Sequence, residues 1–342
     1  MNITHNNHYV PQSTLSRWSD DNQQVYAYRI LVSHSEVPEW TPRPISGIAY
    51  QPDLYTSFSG NEELDEFEHW IEKEFETPGL EAIDRLILQR RLSPHDWKAI
   101  AMFVAAQDVR TPLNYILSMQ RWQQEVPKII EDSIQESVKK LEVARQEGNK
   151  LTPSQNKNEF SKFFRVHVHP PTKPDSDKAA IQAEVTLGRR FWIASMRRLL
   201  TGVAKTLCQH RWSVAQPHET MEWPITDHPV LRLNFYRPGH YDFRGGWGND
   251  GSEIIMPVSP RHLLYVQVGK KTNNRFVFSS ADTQLVQHLL VERAHRWIFA
   301  RRPEAWIPKV KPRIVDADMF TAEENAWSQW HQEQCESEAG RP

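Results

Sequence analysis

Cysteine is nearly absent: Cys208 and Cys335 are the only two in 342 residues, and Cys335 sits in a polar C-terminal stretch. Two thiols so far apart build no disulfide framework, which points to a reducing compartment, the cytoplasm. No run of about 18 apolar residues occurs, so no membrane-spanning helix is expected. Residues 1–8 are polar and lack the apolar centre of a signal peptide. Neither sign of charge is in excess. The 41 basic and 43 acidic residues leave a formal net charge of −2, which gives no global pull toward nucleic acid or an anionic membrane. Any such site must be a local patch. Also missing are a phosphate-binding loop, a Rossmann glycine run, a CxxC pair, HExxH and GxSxG, so no strong signature names a reaction.

Apolar side chains are well represented. Hydrophobic residues make up 39% of the chain and include thirteen tryptophans, enough large side chains for a sizeable core. Short alternating runs predict strands near 25–30 and 47–50. From 61 to 87 the spacing of Phe67, Ile71 and Phe75 predicts a helix, which Pro78-Gly79 should break or kink. Ser93-Pro94 reads as a helix start, and residues 97–109 are apolar nearly all round, as in a buried helix. Pro112 should disturb it, with helix resuming toward Trp122. A third helical stretch, 126–146, carries Ile130, Ile134, Val138 and Leu141 on one face, suited to a helical arm near 126–150 or a protein partner. A strand at 163–169 lies between polar linkers, 148–158 and 170–177, and a long helix is expected over 178–207. Short β-like runs at 212–215, 230–236, 253–258 and 263–268 predict an antiparallel sheet. A closing helix at 281–296, a strand at 314–315 and a frayed acidic tail complete the chain. The fold class expected is α+β: N-terminal strands, a central helical block, and a C-terminal antiparallel sheet with a closing helix. We expect one mixed domain over 1–310 and a C-terminal extension over 311–342.

Certain polar residues stand out against this pattern. Gln107 and Arg110 are three apart on the buried-looking helix and so share a face. A guanidinium facing a core must be paired, because it cannot shed its proton. Arg110 therefore needs either a carboxylate from another element or an anionic ligand, with Asp227 or Glu74 the carboxylates favoured. Asp108 points elsewhere, toward the surface or a local partner. His8, beside His5 at the start, is a candidate base or metal ligand. His167 and His169 share one face of a strand, though a bland exposed strand end is the better reading. Asp227, in Thr226-Asp227-His228-Pro229, is placed by a turn at a sheet end. On the predicted helix 178–207, Arg190, Arg197, Arg198 and Lys205 share an arc opposite the apolar face, an arrangement able to track phosphates.

These motifs carry a resemblance. His8-Tyr9-Val10-Pro11-Gln12, Ala106-Gln107-Asp108-Val109-Arg110-Thr111-Pro112, Thr226-Asp227-His228-Pro229-Val230 and Met256-Pro257-Val258-Ser259-Pro260 occur in the order and rough spacing of the bacterial family called domain of unknown function 4238, to about residue 303. His228 stands where that family more usually has Asn or Arg. The resemblance implies membership without an assigned activity, and it brings forward the same residues: His8, Gln107, Arg110 and Asp227. From their chemistry we expect a hydrolase of nucleic-acid phosphodiester bonds, RNA or DNA, in a conflict or defence setting. His8 would serve as base or ligand, Asp227 as ligand or orienter and Glu74 as second carboxylate, with Gln107 and Arg110 on the phosphate and a divalent metal one option as cofactor. The alternative is a non-catalytic ligand-binding sensor or interaction module using the same cluster. A third reading makes that cluster a structural clasp.

Overall fold

Alternation along residues 231–234, with Leu231 and Leu233 buried and Arg232 and Asn234 half-exposed, sets one strand of the main sheet with its apolar face inward. The computed structural model describes residues 5–59, 62–148, 159–169 and 180–339. The chain divides into two compact units, Met1–Asn114 with Met196–Pro342, and Tyr115–Ser195. In the first, six strands run in the order His240–Asp242, Leu231–Arg237, Glu253–Ser259, His262–Gln267, Ser213–Gln216, Arg275–Val277. All neighbours are antiparallel except the last pair. The strands predicted at 212–215, 230–236, 253–258 and 263–268 fall here within a residue or so. Helix Ser280–Arg293 closes the sheet, packing Val286, Leu289 and Leu290 on Leu231, Leu233, Ile255 and Leu263.

A second sheet joins the two ends of this unit. Its order is Ile225–Thr226, Trp297–Ala300, Gln24–Arg29, Trp40–Pro44, and Tyr28 stands opposite Ile298. The helix Pro94–Val109 is buried as its all-round apolar character requires: Ile100, Ala101, Phe103, Val104, Ala105 and Ala106 are wholly covered. Ser93 and Asp96 form a reciprocal capping box at its start. The fold class is thus the expected α+β.

Local expectations failed where a neighbour or a turn overrode them. The stretch near 47–50 divides into a 3₁₀ turn, Ile45–Gly47, and a strand, Tyr50–Pro52, paired with Asn6–His8. Strand Glu62–Leu64 takes the start of the helix expected from 61, which begins only at Glu66. Pro78 does not break that helical run. A π turn, Glu72–Glu76, precedes Thr77–Ile87, so Pro78 falls in a first turn, where its missing N–H costs nothing. Gly79 there lets helix Thr77–Ile87 close on Phe103; an added Cβ would lie 2.4 Å from the Phe103 Cβ. Pro112 starts a helix, Pro112–Gln146, that also accommodates Pro127. The predicted helix 178–207 is the largest miss. Ala180–Val185 is a strand paired with Phe164–His169, helix runs only from Arg189 to Thr201, and a 3₁₀ segment follows Gly202 at Val203–Gln209. Alternation at Ile181, Ala183 and Val185 suits the hairpin, and the strand partner decided between two periods. Residues 317–339, expected to fray, form a helix with Trp330 buried. The linkers expected at 148–158 and 170–177 lie almost wholly outside the described residues.

The second unit holds most of helix Pro112–Gln146, the hairpin, and the start of helix Arg189–Thr201. Its core is aromatic. Phe191 meets Trp122, Phe160 and Phe163 edge-on, with ring centroids 4.7, 5.2 and 5.2 Å apart. On the helix, Ile130, Ile134 and Val138 are half-buried and Leu141 is exposed. His167 and His169 lie on an exposed strand, where His169 bonds Gln182.

Candidate functional site

Arg110 ends the buried helix and is 1% exposed. Its charge is met from three directions. Glu76 pairs with Nη1, Glu68 Oε1 lies 3.5 Å from Nη2, and the backbone oxygen of His8 accepts from Nη2 at 2.5 Å. Nε donates to the Tyr55 hydroxyl at 3.3 Å, and that hydroxyl donates to the Arg110 carbonyl. Burial pushes the Glu68 carboxyl up, with Arg110 opposing. Arg110 is therefore buried and paired, as its position demanded, but its partners are Glu68 and Glu76 rather than Asp227 or Glu74. Glu74 is exposed. The π turn explains the change: it adds a residue to one turn and rotates later side chains back, which brings Glu76 toward the face of Glu68.

The other expected residues separate. His8 lies on the first strand opposite Tyr50, with ring centroids 5.5 Å apart. Burial pushes its imidazole below the ordinary range, and its shielded Nε2 has no hydrogen-bond partner among the described residues. It meets Arg110 through its carbonyl, so it does not present a base there. Gln107 is wholly buried, and both of its amide atoms lack partners among the described residues. Asp108, expected at the surface or with a local partner, is 1% exposed. Its Oδ2 accepts from Trp247 Nε1 at 2.8 Å and faces Arg232 Nε at 3.2 Å, both distant in sequence. From Phe103 to Val109 the helix is buried at every position, so Asp108 has no surface to reach.

Asp227 is buried and takes backbone amides, not Arg110, as partners. Oδ1 accepts from the backbone N–H of His295 at 2.9 Å, and Oδ2 from those of Arg296 and Trp297 at 2.6 and 3.0 Å. The turn carboxylate thus holds the chain entering strand Trp297–Ala300. Burial pushes this carboxyl up, against His295 and the three amides. Next to it His228 is buried and bonds Thr111 Oγ1 through Nδ1 at 2.8 Å, joining two of the sequence motifs. Burial holds His228 well below its ordinary range, so it is neutral.

The basic residues do not share one arc. Gly202 ends the helix, so Lys205 belongs to the 3₁₀ segment and not to the helical projection. Arg190 is half-buried. Arg197 lies over Phe67 and Trp70, 5.7 and 5.5 Å from their ring centroids. Arg198 and Lys205 are exposed. Among the described residues, no three His, Cys, Asp or Glu side chains form a set able to hold a metal ion, and no helix is long and apolar enough to cross a membrane.

One pocket of about 380 Å³ opens beside Asp227. Tyr9, Arg29, His295, Arg296 and Trp297 line it together with the helix Ala317–Ala339. The size is that of small-molecule sites. Of the candidate site residues only Asp227 reaches it, joined by Tyr9 and Pro112 from two of the motifs. Arg29 and Arg296 were missed because each follows an ordinary strand or helix pattern. The only signal was indirect: a buried turn carboxylate needs donors, and residues 295–297 supply them.

No curated protein and no solved structure matches this chain. The family described as protein of unknown function (DUF4238) matches over residues 6–304, which includes all four motifs, the Arg110 group, Asp227 and both pocket arginines. The chain belongs to the DUF4238 family.

Proposed function

We propose that this protein binds a small organic anion in the pocket beside Asp227 and works as a ligand-responsive module. One observation carries the reading: two guanidiniums, Arg29 and Arg296, converge with the aromatic Tyr9, Tyr50, Trp297 and Trp327 on a cavity of ligand size. Arginine forks recognise carboxylate and phosphate oxygens in pairs. The residues first favoured for chemistry are occupied otherwise, Arg110 by two internal carboxylates and Asp227 by three backbone amides. The test is calorimetric titration of the full chain with a panel of organic phosphates and dicarboxylates, repeated on Arg29→Met and Arg296→Met. Saturable binding lost in both variants supports the reading; binding unchanged in both overturns it.

The hydrolase acting on nucleic-acid phosphodiester bonds is the second reading. What supports it is the exposure of Arg198 and Lys205 on consecutive helical segments.

A further inference from the structure

Two acidic side chains already sit on the pocket's arginines. Arg296 Nε donates to both Glu323 oxygens at 2.7 Å, and its Nη2 donates to Oε2 at 2.5 Å. Arg29 Nη2 donates to Glu324 Oε1 at 2.6 Å. Both glutamates belong to the helix Ala317–Ala339, which starts beyond the family match ending at 304, whereas both arginines lie within it. With the helix in place, the lining sets two guanidiniums against the carboxylates of Asp227, Glu323 and Glu324. Asp227 is occupied by amides. Without the two glutamates, the same lining is two cations beside aromatic walls.

The glutamate contacts are also replaceable. Glu324 is 57% exposed, so solvent screens its pair. Arg29 keeps an Nε–H shielded from solvent and without an acceptor among the described residues, and its guanidinium lies 5.0 Å from the Trp297 centroid and 4.4 Å from that of Phe320.

We infer that Glu323 and Glu324 occupy the place of a ligand's anionic group, and that the ligand is a phosphate monoester carried on a flat ring; this rests on the ligand-binding reading above. The two arginines line one pocket of about 380 Å³, and each holds a carboxylate of the same helix. A phosphate dianion concentrates its charge and three acceptor oxygens in such a volume: two for the Arg296 fork, one for Arg29. Tyr50 and Trp297 in the lining, which do not belong to that helix, offer faces for a ring. The C-terminal helix then competes with the ligand, and the pocket is strongest for anions when that helix has moved away.

The probes are adenosine 5′-monophosphate and inorganic phosphate, titrated into the full chain. Glu323→Gln/Glu324→Gln keeps the shape but removes both charges, and should bind the nucleotide about tenfold more tightly than wild type. Arg296→Met added to that variant should abolish the gain. A glutamate-specific protease should cut at 323–324 faster when the nucleotide is present. Binding by wild type that the Gln substitutions leave unchanged overturns the competition while sparing the pocket. No binding of either probe by the wild type or the variant, both folded by circular dichroism, overturns the pocket itself. Equal affinity for phosphate and nucleotide overturns the flat-ring requirement. Glu324→Gln alone, at an exposed position, gives the same comparison with a smaller gain if the double variant does not fold.

Discussion

Arg110→Met should be among the most destabilising single changes in the chain, and its effect should depend on pH. The substitution leaves Glu68 and Glu76, with side chains only 15% and 14% exposed, without their shared cation. Breaking a buried pair from one side costs about 3–5 kcal/mol, because the stranded charges stay desolvated. For a unit of this size that lowers the melting temperature by on the order of 10 °C. Burial already holds the Glu68 pKa above its unfolded value. Removing Arg110, whose charge opposes that shift, raises it further. The folded variant then retains a proton that the unfolded chain releases, so stability falls as pH rises from about 4.3. Below that pH the Glu68 carboxyl increasingly holds its proton in both states, and the gap between variant and wild type should narrow. Urea unfolding of both proteins at pH 4, 5.5 and 7 measures this directly. Glu68→Leu and Glu76→Leu added to Arg110→Met should restore at least half of the lost stability at pH 7. A single variant as stable as wild type at pH 7, or a deficit larger at pH 4, would refute the account of Arg110 as a charge clasp.

Gln107→Met should be neutral or stabilising by about 1 kcal/mol, since the wild-type amide is buried without partners and the apolar chain fits its volume; a loss above about 1 kcal/mol by thermal unfolding would mean the amide is satisfied in solution. Gly79→Ala should destabilise by about 1–3 kcal/mol although alanine is the better helix former, because its Cβ meets Phe103 across the helix contact. Arg197→Gln/Arg198→Gln should leave binding to a labelled oligonucleotide as weak as in wild type at low salt. A wild-type salt slope that this variant flattens by about one unit would instead favour the phosphodiester reading.

What could be read in advance follows from range. The helix start at Ser93-Pro94 and the buried character of 97–109 depend on neighbours along the chain and were legible. So was the need to pair Arg110. The identity of its partners was not. Glu68 and Glu76 each follow an apolar-stripe residue, Phe67 and Phe75, while Glu74 precedes one; all border the stripe. Which border faces Arg110 depends on the packing of two helices and on a π turn that no local preference announces. Residues 180–185 satisfied both a strand and a helix period until a partner strand decided. The pocket was least legible, since Arg29, Asp227 and Arg296 are brought together only by the second sheet.

That sheet bears on how the chain is made. Strand Trp297–Ala300 lies between Ile225–Thr226 and Gln24–Arg29, so the early strand has no partner on that side until the ribosome has delivered residue 300. Joining positions 28 and 298 closes a loop whose entropy costs roughly 5 kcal/mol beyond a constant term. Until then Gln24–Arg29 presents an open edge on the nascent polypeptide, where a second chain could pair with it. Chains released before residue 297 should accumulate as aggregates, while those extending past 300 can seal the edge from within.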